Sequence, residues 1–257
     1  MAIPNIIYGD YGDEKETYST QPNKNYLGQL MILPDGRKFR LAQAGGTALK
    51  AGAVVSVSAG VAGNGNVAAS GLIASATTTK NPAGATDVYV AASLAAFTLD
   101  EFENGYMNVQ GPAASTYIGH VYFVKGNDSC AASTELHIKL HDSDPLKIAF
   151  KAGTTTVSLR KNPFKNQIVA ASIKTITGVV PVAVSASHYF WCQRSGVASV
   201  LTAATSVTDG APVAIGKGEA GSCTLAVAVS LATQHIIGQA LETVTATEAA
   251  MIDLNLE

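Results

Sequence analysis

Ala53-Val54-Val55-Ser56-Val57, followed by Ala59-Gly60-Val61-Ala62-Gly63-Asn64-Gly65-Asn66, shows in miniature how this chain is written. A short run of small and β-branched apolar residues is closed by Gly and Asn, and the rhythm returns about every ten residues. β-Branched side chains fit a pleated, half-buried surface, while Gly, Asn and Asp supply the backbone freedom that tight turns need. The spacing predicts an all-β fold: an extended N-terminal arm, then antiparallel β-sandwich or β-barrel domains with at most one or two short helices.

Upstream, Gly28-Gln29-Leu30-Met31-Ile32-Leu33 runs into Pro34-Asp35-Gly36-Arg37 and returns as Lys38-Phe39-Arg40-Leu41-Ala42. Pro fixes φ at the first corner and Gly accepts a positive φ at its exit, so a hairpin is expected. Between Gly60 and Asp87 the composition turns to Gly, Ala, Asn, Ser and Thr, which suits a loop excursion or weak edge strands. Leu94, Phe97 and Phe102 allow a helical turn or two. Four runs of strand length follow, Tyr117 to Val124, Glu135 to Leu140, Lys147 to Phe150 and Thr155 to Leu159, in meander order. Beyond Asn162 the strands become regular, with Tyr189 to Gln193 and Gly196 to Leu201 read as separate strands. Arg160-Lys161-Asn162-Pro163-Phe164-Lys165-Asn166, with three cations and a proline, marks the best boundary. The expected organisation is an arm over residues 1–27, a β-rich domain over 28–160 and a small barrel or sandwich over 161–257. No exact internal repeat is evident, although the Gly-turn-strand rhythm recurs in both halves.

The arm is polar and glycine-punctuated, and its tyrosines, Tyr8, Tyr11, Tyr18 and Tyr26, follow no amphipathic period. Tyrosines give large contact areas at low entropic cost, so the segment reads as an arm that orders against a partner, or as a loose tail.

Composition narrows the partners. Charged residues are 14% of the 257 positions, and 17 basic against 19 acidic side chains leave a net charge of −2. Such a field draws neither nucleic acid nor an anionic bilayer. No run reaches the length of a membrane span, and Met1-Ala2-Ile3-Pro4-Asn5 lacks the pattern of a signal peptide, so synthesis in the cytosol is expected. Cys130, Cys192 and Cys223 are too few and scattered for a disulfide framework and read as reduced, partly buried hydrophobes.

Several constellations invite chemistry. His137 and His141 precede Asp142 and Asp144, but on a strand residues four apart stand about 13 Å apart, too far to share one ion. Asp10 with Asp13, and Asp142 with Asp144, lack the ligand count of a calcium loop. His188-Tyr189-Phe190-Trp191-Cys192-Gln193 pairs a histidine with a thiol, yet strand alternation puts His188, Phe190 and Cys192 on one face and Tyr189, Trp191 and Gln193 on the other, as packing bulk. Gly216-Lys217-Gly218-Glu219-Ala220-Gly221-Ser222 fits no phosphate-binding pattern. The expectation is a protein without catalytic residues, cofactor or metal.

Taken in succession, Leu30 to Arg40, Asn104-Gly105-Tyr106-Met107-Asn108-Val109, Asn162-Pro163-Phe164, His188 to Gln193 with Gly196-Val197-Ala198-Ser199-Val200, and Ile237-Gly238-Gln239-Ala240-Leu241 resemble tailed-bacteriophage virion proteins, specifically the capsid decoration or cement class. The resemblance implies a homotrimer on the outer surface of the head that locks neighbouring major capsid subunits, with the arm, Tyr8, Tyr11, Tyr18 and Tyr26 included, lying on the shell. A tail or head-fibre protein that binds host glycan is the alternative. It needs an exposed aromatic platform, for which Tyr89, Tyr106, Tyr117, Tyr122 and Trp191 are the candidates.

Overall fold

The computed structural model describes residues 6–22, 25–57, 81–91, 96–111, 119–132, 134–151, 154–170, 175–216, 219–226 and 235–257, and the backbone alone for 67–73. Among the described residues the regular structure is strand, apart from one 3-10 turn at Asp13–Lys15. In chain order the strands are β1 (Ile6–Tyr8), β2 (Thr17–Tyr18), β3 (Leu30–Ile32), β4 (Lys38–Gln43), β5 (Val54–Val57) and β6 (Val67–Ile73). Next come β7 (Asp87–Ala91), β8 (Tyr106–Gly111), β9 (Val121–Asn127), β10 (Glu135–Leu140), β11 (Thr156–Arg160) and β12 (Gln167–Val169). The last are β13 (Ile176–Val179), β14 (Tyr189–Leu201), β15 (Pro212–Ile215), β16 (Cys223–Leu225), β17 (Ile236–Ala240) and β18 (Ala249–Asn255). The chain is all-β, as its spacing predicts.

It divides into two compact units, one made of Met1–Ser58 with Phe164–Glu257 and one of Ala59–Pro163. One cut lies inside the 160–166 stretch; the other, after Ser58, falls just before the change of composition at Gly60, which suits a loop or weak edge strands and does not by itself mark a boundary. Residues 28–57, expected to belong with 58–160, belong instead with the C-terminal strands, because β5 is paired by β12 and β13.

The inserted unit is a six-stranded sheet in the order β6-β11-β8-β9-β10-β7. β8 and β10 alternate strictly between exposed or half-buried and buried positions, as the period-two pattern requires, and β9 does so up to its last two residues, Gly126 and Asn127, which are both buried. Val88, Val90, Met107, Val109, Tyr122, Val124, Leu136, Ile138, Val157 and Leu159 form its core. Two local expectations are corrected. Residues 96–102 form turns with a bridge between Phe97 and Cys130 rather than a helical turn, and Phe97 and Phe102 pack edge to face at 5.2 Å. Residues 147–150 are not a strand; Leu146 and Phe150 reach the core from irregular backbone.

The other unit is a twelve-stranded sheet whose spine is β14. Tyr189 to Gln193 and Gly196 to Leu201, expected as separate strands, are one strand that continues through a bulge between Gln193 and Ser195, with Gly196 just beyond it at φ 81°. The first part of β14 pairs with β4 and its last part with β18.

Around that spine the backbone repeats itself. Four stretches follow the same course: a strand, a bend, one bridging residue, a tight turn and a second strand. The bridging residues pair as Leu49 with Val184 and Val207 with Val244. Each pair exchanges both backbone hydrogen bonds, at 2.8 and 2.9 Å in the first and 3.1 and 3.0 Å in the second. Three residues on, each stretch turns through the left-handed region, at Gly52 (φ 75°), Ser187 (64°), Gly210 (75°) and Thr247 (68°). The amides there donate reciprocally, Gly52 to the Val180 carbonyl and Ser187 to that of Gly45, Gly210 to Ala240 and Thr247 to Ala203.

The sheet registers repeat as well. Gln167 faces Val57 as Cys223 faces Ile215, and Gly178 faces Val55 as Gly238 faces Val213, each beside a bulge. A Cβ at Gly178 or Gly238 would collide with the carbonyl of Gln193 or Asp253, which are themselves equivalent positions. The unit is therefore an internal duplication. Its first half is residues 38–57 with 167–194, and its second half is residues 196–215 with 223–254. In the second half β15 and β16 are joined by residues 216–222; at the matching place in the first half, the chain runs through the whole of the inserted unit.

Residues 6–33 have no counterpart in the second half. β1 runs parallel to β3, β3 antiparallel to β4, and β2 antiparallel to the start of β14. Together they cover the outer face of the first half and bury Met31, Leu33, Phe39, Leu41 and Trp191, with Ile7, Tyr18 and Tyr189 packed alongside. The opposite face of the same strands carries Ala42, Phe190 and Cys192 into the core.

Candidate interaction surface

The segment expected to be an arm is extended, but its described part is seated on its own unit. Gly9 donates to the Ile32 carbonyl at 3.1 Å, continuing the β1–β3 pairing. The 3-10 turn then folds Glu14 inward, where its carboxylate is 3% exposed, accepts the Gly12 amide at 2.7 Å and lies 3.5 Å from Arg37 of the β3–β4 hairpin. Arg37 also holds Asp35 at 2.6 Å, so one guanidinium ties the segment to the hairpin turn.

This seating separates the four tyrosines. Tyr18 lies inward against the Trp191 cluster, and burial first, then the neighbouring Glu16 carboxylate, raise its phenol above the ordinary value. Tyr26 is half-buried before β3. Tyr8 at the end of β1 and Tyr11 in the turn after it are 80% and 64% exposed, and Ile6 on β1 is exposed as well. β1 ends the sheet order, and among the described residues no strand pairs with its outer side. An exposed strand edge with large apolar side chains is a template for another chain.

A second feature lies on the inserted unit. Tyr89 on β7 and His137 on β10 are cross-strand partners whose rings stack at 4.5 Å with 5° between planes. His137 Nδ1 lies 2.6 Å from Asp128 and Nε2 2.7 Å from Asp87, and Lys139 donates to Asp128 at 2.6 Å. Hydrogen bonds from Lys139 and then His137 hold the Asp128 carboxyl below its ordinary value, and the same contact raises Lys139. Beside this group a concavity of about 340 Å³ is lined by Asp87, Asp100, Lys125, Lys139 and Asp142 among others. His141 turns away to Ser143, 2.8 Å from its hydroxyl, and no three His, Cys, Asp or Glu side chains among the described residues are grouped to hold a metal ion.

Nothing local in the sequence joins His137 to Asp87, fifty residues away. The signal is the pairing of β7 with β10, which a single sequence does not disclose.

His188 lies just before β14, whereas Cys192 sits in the core with its thiol pushed up to about 12 by burial. The thiol stays protonated at neutral pH and is no nucleophile there. Of the aromatic platform candidates, Tyr122 and Trp191 are buried, Tyr106 is exposed and meets Phe123 edge on at 5.7 Å, and Tyr89 is stacked under His137. Tyr117 lies outside the described residues. Among those described, no three stand exposed and coplanar.

No known protein family, curated protein or solved structure matches the chain.

Proposed function

We propose that the chain is a virion structural protein of a tailed bacteriophage, a capsid decoration protein that binds the outside of the head and clamps neighbouring major capsid subunits as a homotrimer. The observation that supports this reading is the edge of β1 left unpaired among the described residues, with Ile6 and Tyr8 exposed on the strand and Tyr11 in the turn after it, on a segment that the Arg37–Glu14 ion pair ties to its own unit. A clamp works by many weak contacts repeated over a lattice, and rigid tyrosine anchors on a strand edge provide them at low entropic cost.

The test is co-sedimentation with expanded empty heads of the phage that carries the protein. Stoichiometric binding is expected, and Tyr8→Ser with Tyr11→Ser is expected to weaken it at least about tenfold while leaving thermal unfolding unchanged. Deleting the whole segment is a poorer test, because it uncovers Phe39 and Trp191. Failure of the wild-type chain to bind heads refutes the reading.

A further inference from the structure

The two halves of the duplicated unit differ in what lies on their outer face. In the first half Phe39, Leu41 and Trp191 are 0%, 0% and 3% exposed beneath residues 6–33. Their counterparts in the second half are Val197, Ser199 and Met251. Val197 and Met251 are each 45% exposed, and Leu241, in the place of Pro181, is 43% exposed. The registers put these side chains on the corresponding face: Trp191 pairs with Leu41 as Met251 pairs with Ser199, and Gln193 with Phe39 as Asp253 with Val197. The opposite face of the second half, with Ala198, Val200, Ala250 and Ile252, is core. One fold thus offers two equivalent seats, and among the described residues one segment covers one of them.

We infer that the Val197–Leu241–Met251 face seats an extended segment of a different polypeptide, with alternating apolar side chains and a basic residue. The form of the occupant follows from the first half, where the cover is itself an extended segment that buries Met31 and packs Ile7 and Tyr18 against the face. The basic residue follows from charge, since Asp253 stands exposed on the face and Glu242 borders it. Size argues against a second folded copy. Three side chains less than half exposed fall far short of the roughly 800 Å² per partner that a stable interface between folded proteins needs, but suit a peptide segment. Side chains, not strand addition, hold the occupant: Gln193 Nε2 already donates to the Val197 carbonyl at 2.8 Å on the edge where β3 would correspond.

The experiment uses the full isotope-labelled chain and, as probe, a synthetic peptide of its own residues 28–34 followed by two lysines, titrated to millimolar concentration by NMR. Saturable shifts are expected at Val197, Ser199 and Met251, with Phe39 and Trp191 unmoved because their seat is filled. Asp253→Lys is expected to weaken binding about tenfold, and Val197→Ser with Met251→Ser to abolish it without altering the amide spectrum elsewhere. Absence of saturable shifts, shifts centred elsewhere, or undiminished binding in the double variant overturns the inference. Shifts at the same face on concentrating the protein alone also overturn it, by giving the face to a second copy. Each result is independent of whether the chain binds heads.

Discussion

The left-handed turn that occurs four times gives a sharp test of the duplication, because the same backbone demand is met by two glycines and two other residues. At Gly52, Ser187, Gly210 and Thr247 φ is 75°, 64°, 75° and 68°. A side chain there costs about 1–2 kcal/mol through the clash of Cβ with the following carbonyl, and a β-branched one lies at the upper end. Glycine removes that cost but adds about 0.5–1 kcal/mol of chain entropy lost on folding. Thr247→Gly is therefore expected to stabilise by about 0.5–1 kcal/mol, and Ser187→Gly by somewhat less. Thr247 is exposed and its hydroxyl bonds only the adjacent Ala246 carbonyl, so little else is lost. In the other direction, Gly210→Ala meets nothing within 4 Å and costs the conformational term alone, about 1 kcal/mol. Gly52→Ala also brings Cβ to 3.2 Å from Leu201 Cγ and 3.3 Å from its amide nitrogen, and costs more. Urea denaturation followed by circular dichroism reads the series as shifts of midpoint at constant slope. Destabilisation by Thr247→Gly, or a Gly210→Ala variant as stable as the parent, would refute the reasoning.

Acid acts on the inserted unit. Asp128 and Asp142 are held below their ordinary value of 3.8, Asp128 by hydrogen bonds from Lys139 and His137 and Asp142 by those from Lys125. Stability from a depressed carboxyl is complete above the unfolded value and is lost as pH falls through the folded one, so the unfolding midpoint drops below about pH 4. Asp128→Asn flattens that limb in a pH series of thermal melts, and an unchanged limb contradicts the assignment. Cys192 and Cys223 are pushed up to about 12 and about 11 by burial, whereas Cys130 is half-buried. In the native chain a thiol reagent at about pH 8 is expected to label Cys130 alone, the other two reacting only in denaturant; mass spectrometry of labelled peptides decides. Replacing residues 58–166 with the sequence of residues 216–222 is expected to leave a soluble all-β protein that unfolds cooperatively, and a chain without cooperative unfolding speaks against the duplication.

Strand identity was legible in the sequence where turn chemistry is local. Pro34-Asp35-Gly36 specifies the β3–β4 hairpin, and Leu33 accordingly accepts the Gly36 amide at 2.9 Å. Alternation in Glu135 to Leu140 likewise gives both the strand and its buried face. The duplication was hidden for two physical reasons. Residues 58–166 interrupt the first copy and destroy any fixed period. The pattern common to the copies is also mostly one of backbone course, which constrains few side chains: Thr47 and Thr205, Gly52 and Gly210, Ile176 and Ile236, Gly178 and Gly238, and Val184 and Val244 are among the few identities. Ser187 and Thr247 conceal the turn further by standing where glycine is expected. The seating of the arm was illegible because it depends on Glu14 meeting Arg37, a contact made across the β3–β4 hairpin.

The place of the insertion follows from the register. Val57 and Gln167 are direct cross-strand partners, so the chain leaves β5 and re-enters β12 at points about 5 Å apart. A folded unit grafted there need not spread the strands, and the entropy of closing so long a connection rises only slowly with its length. Among the described residues, the duplicated half with the short connection has an open outer face, whereas the half that accepted the insertion has its outer face covered by the strands of residues 6–33. Insertion and cover thus fall on the same copy. Among the described residues the second copy retains the unadorned scaffold, with Val197, Leu241 and Met251 exposed beside Asp253, and that uncovered face is the seat on which the inferred partner segment would be tested.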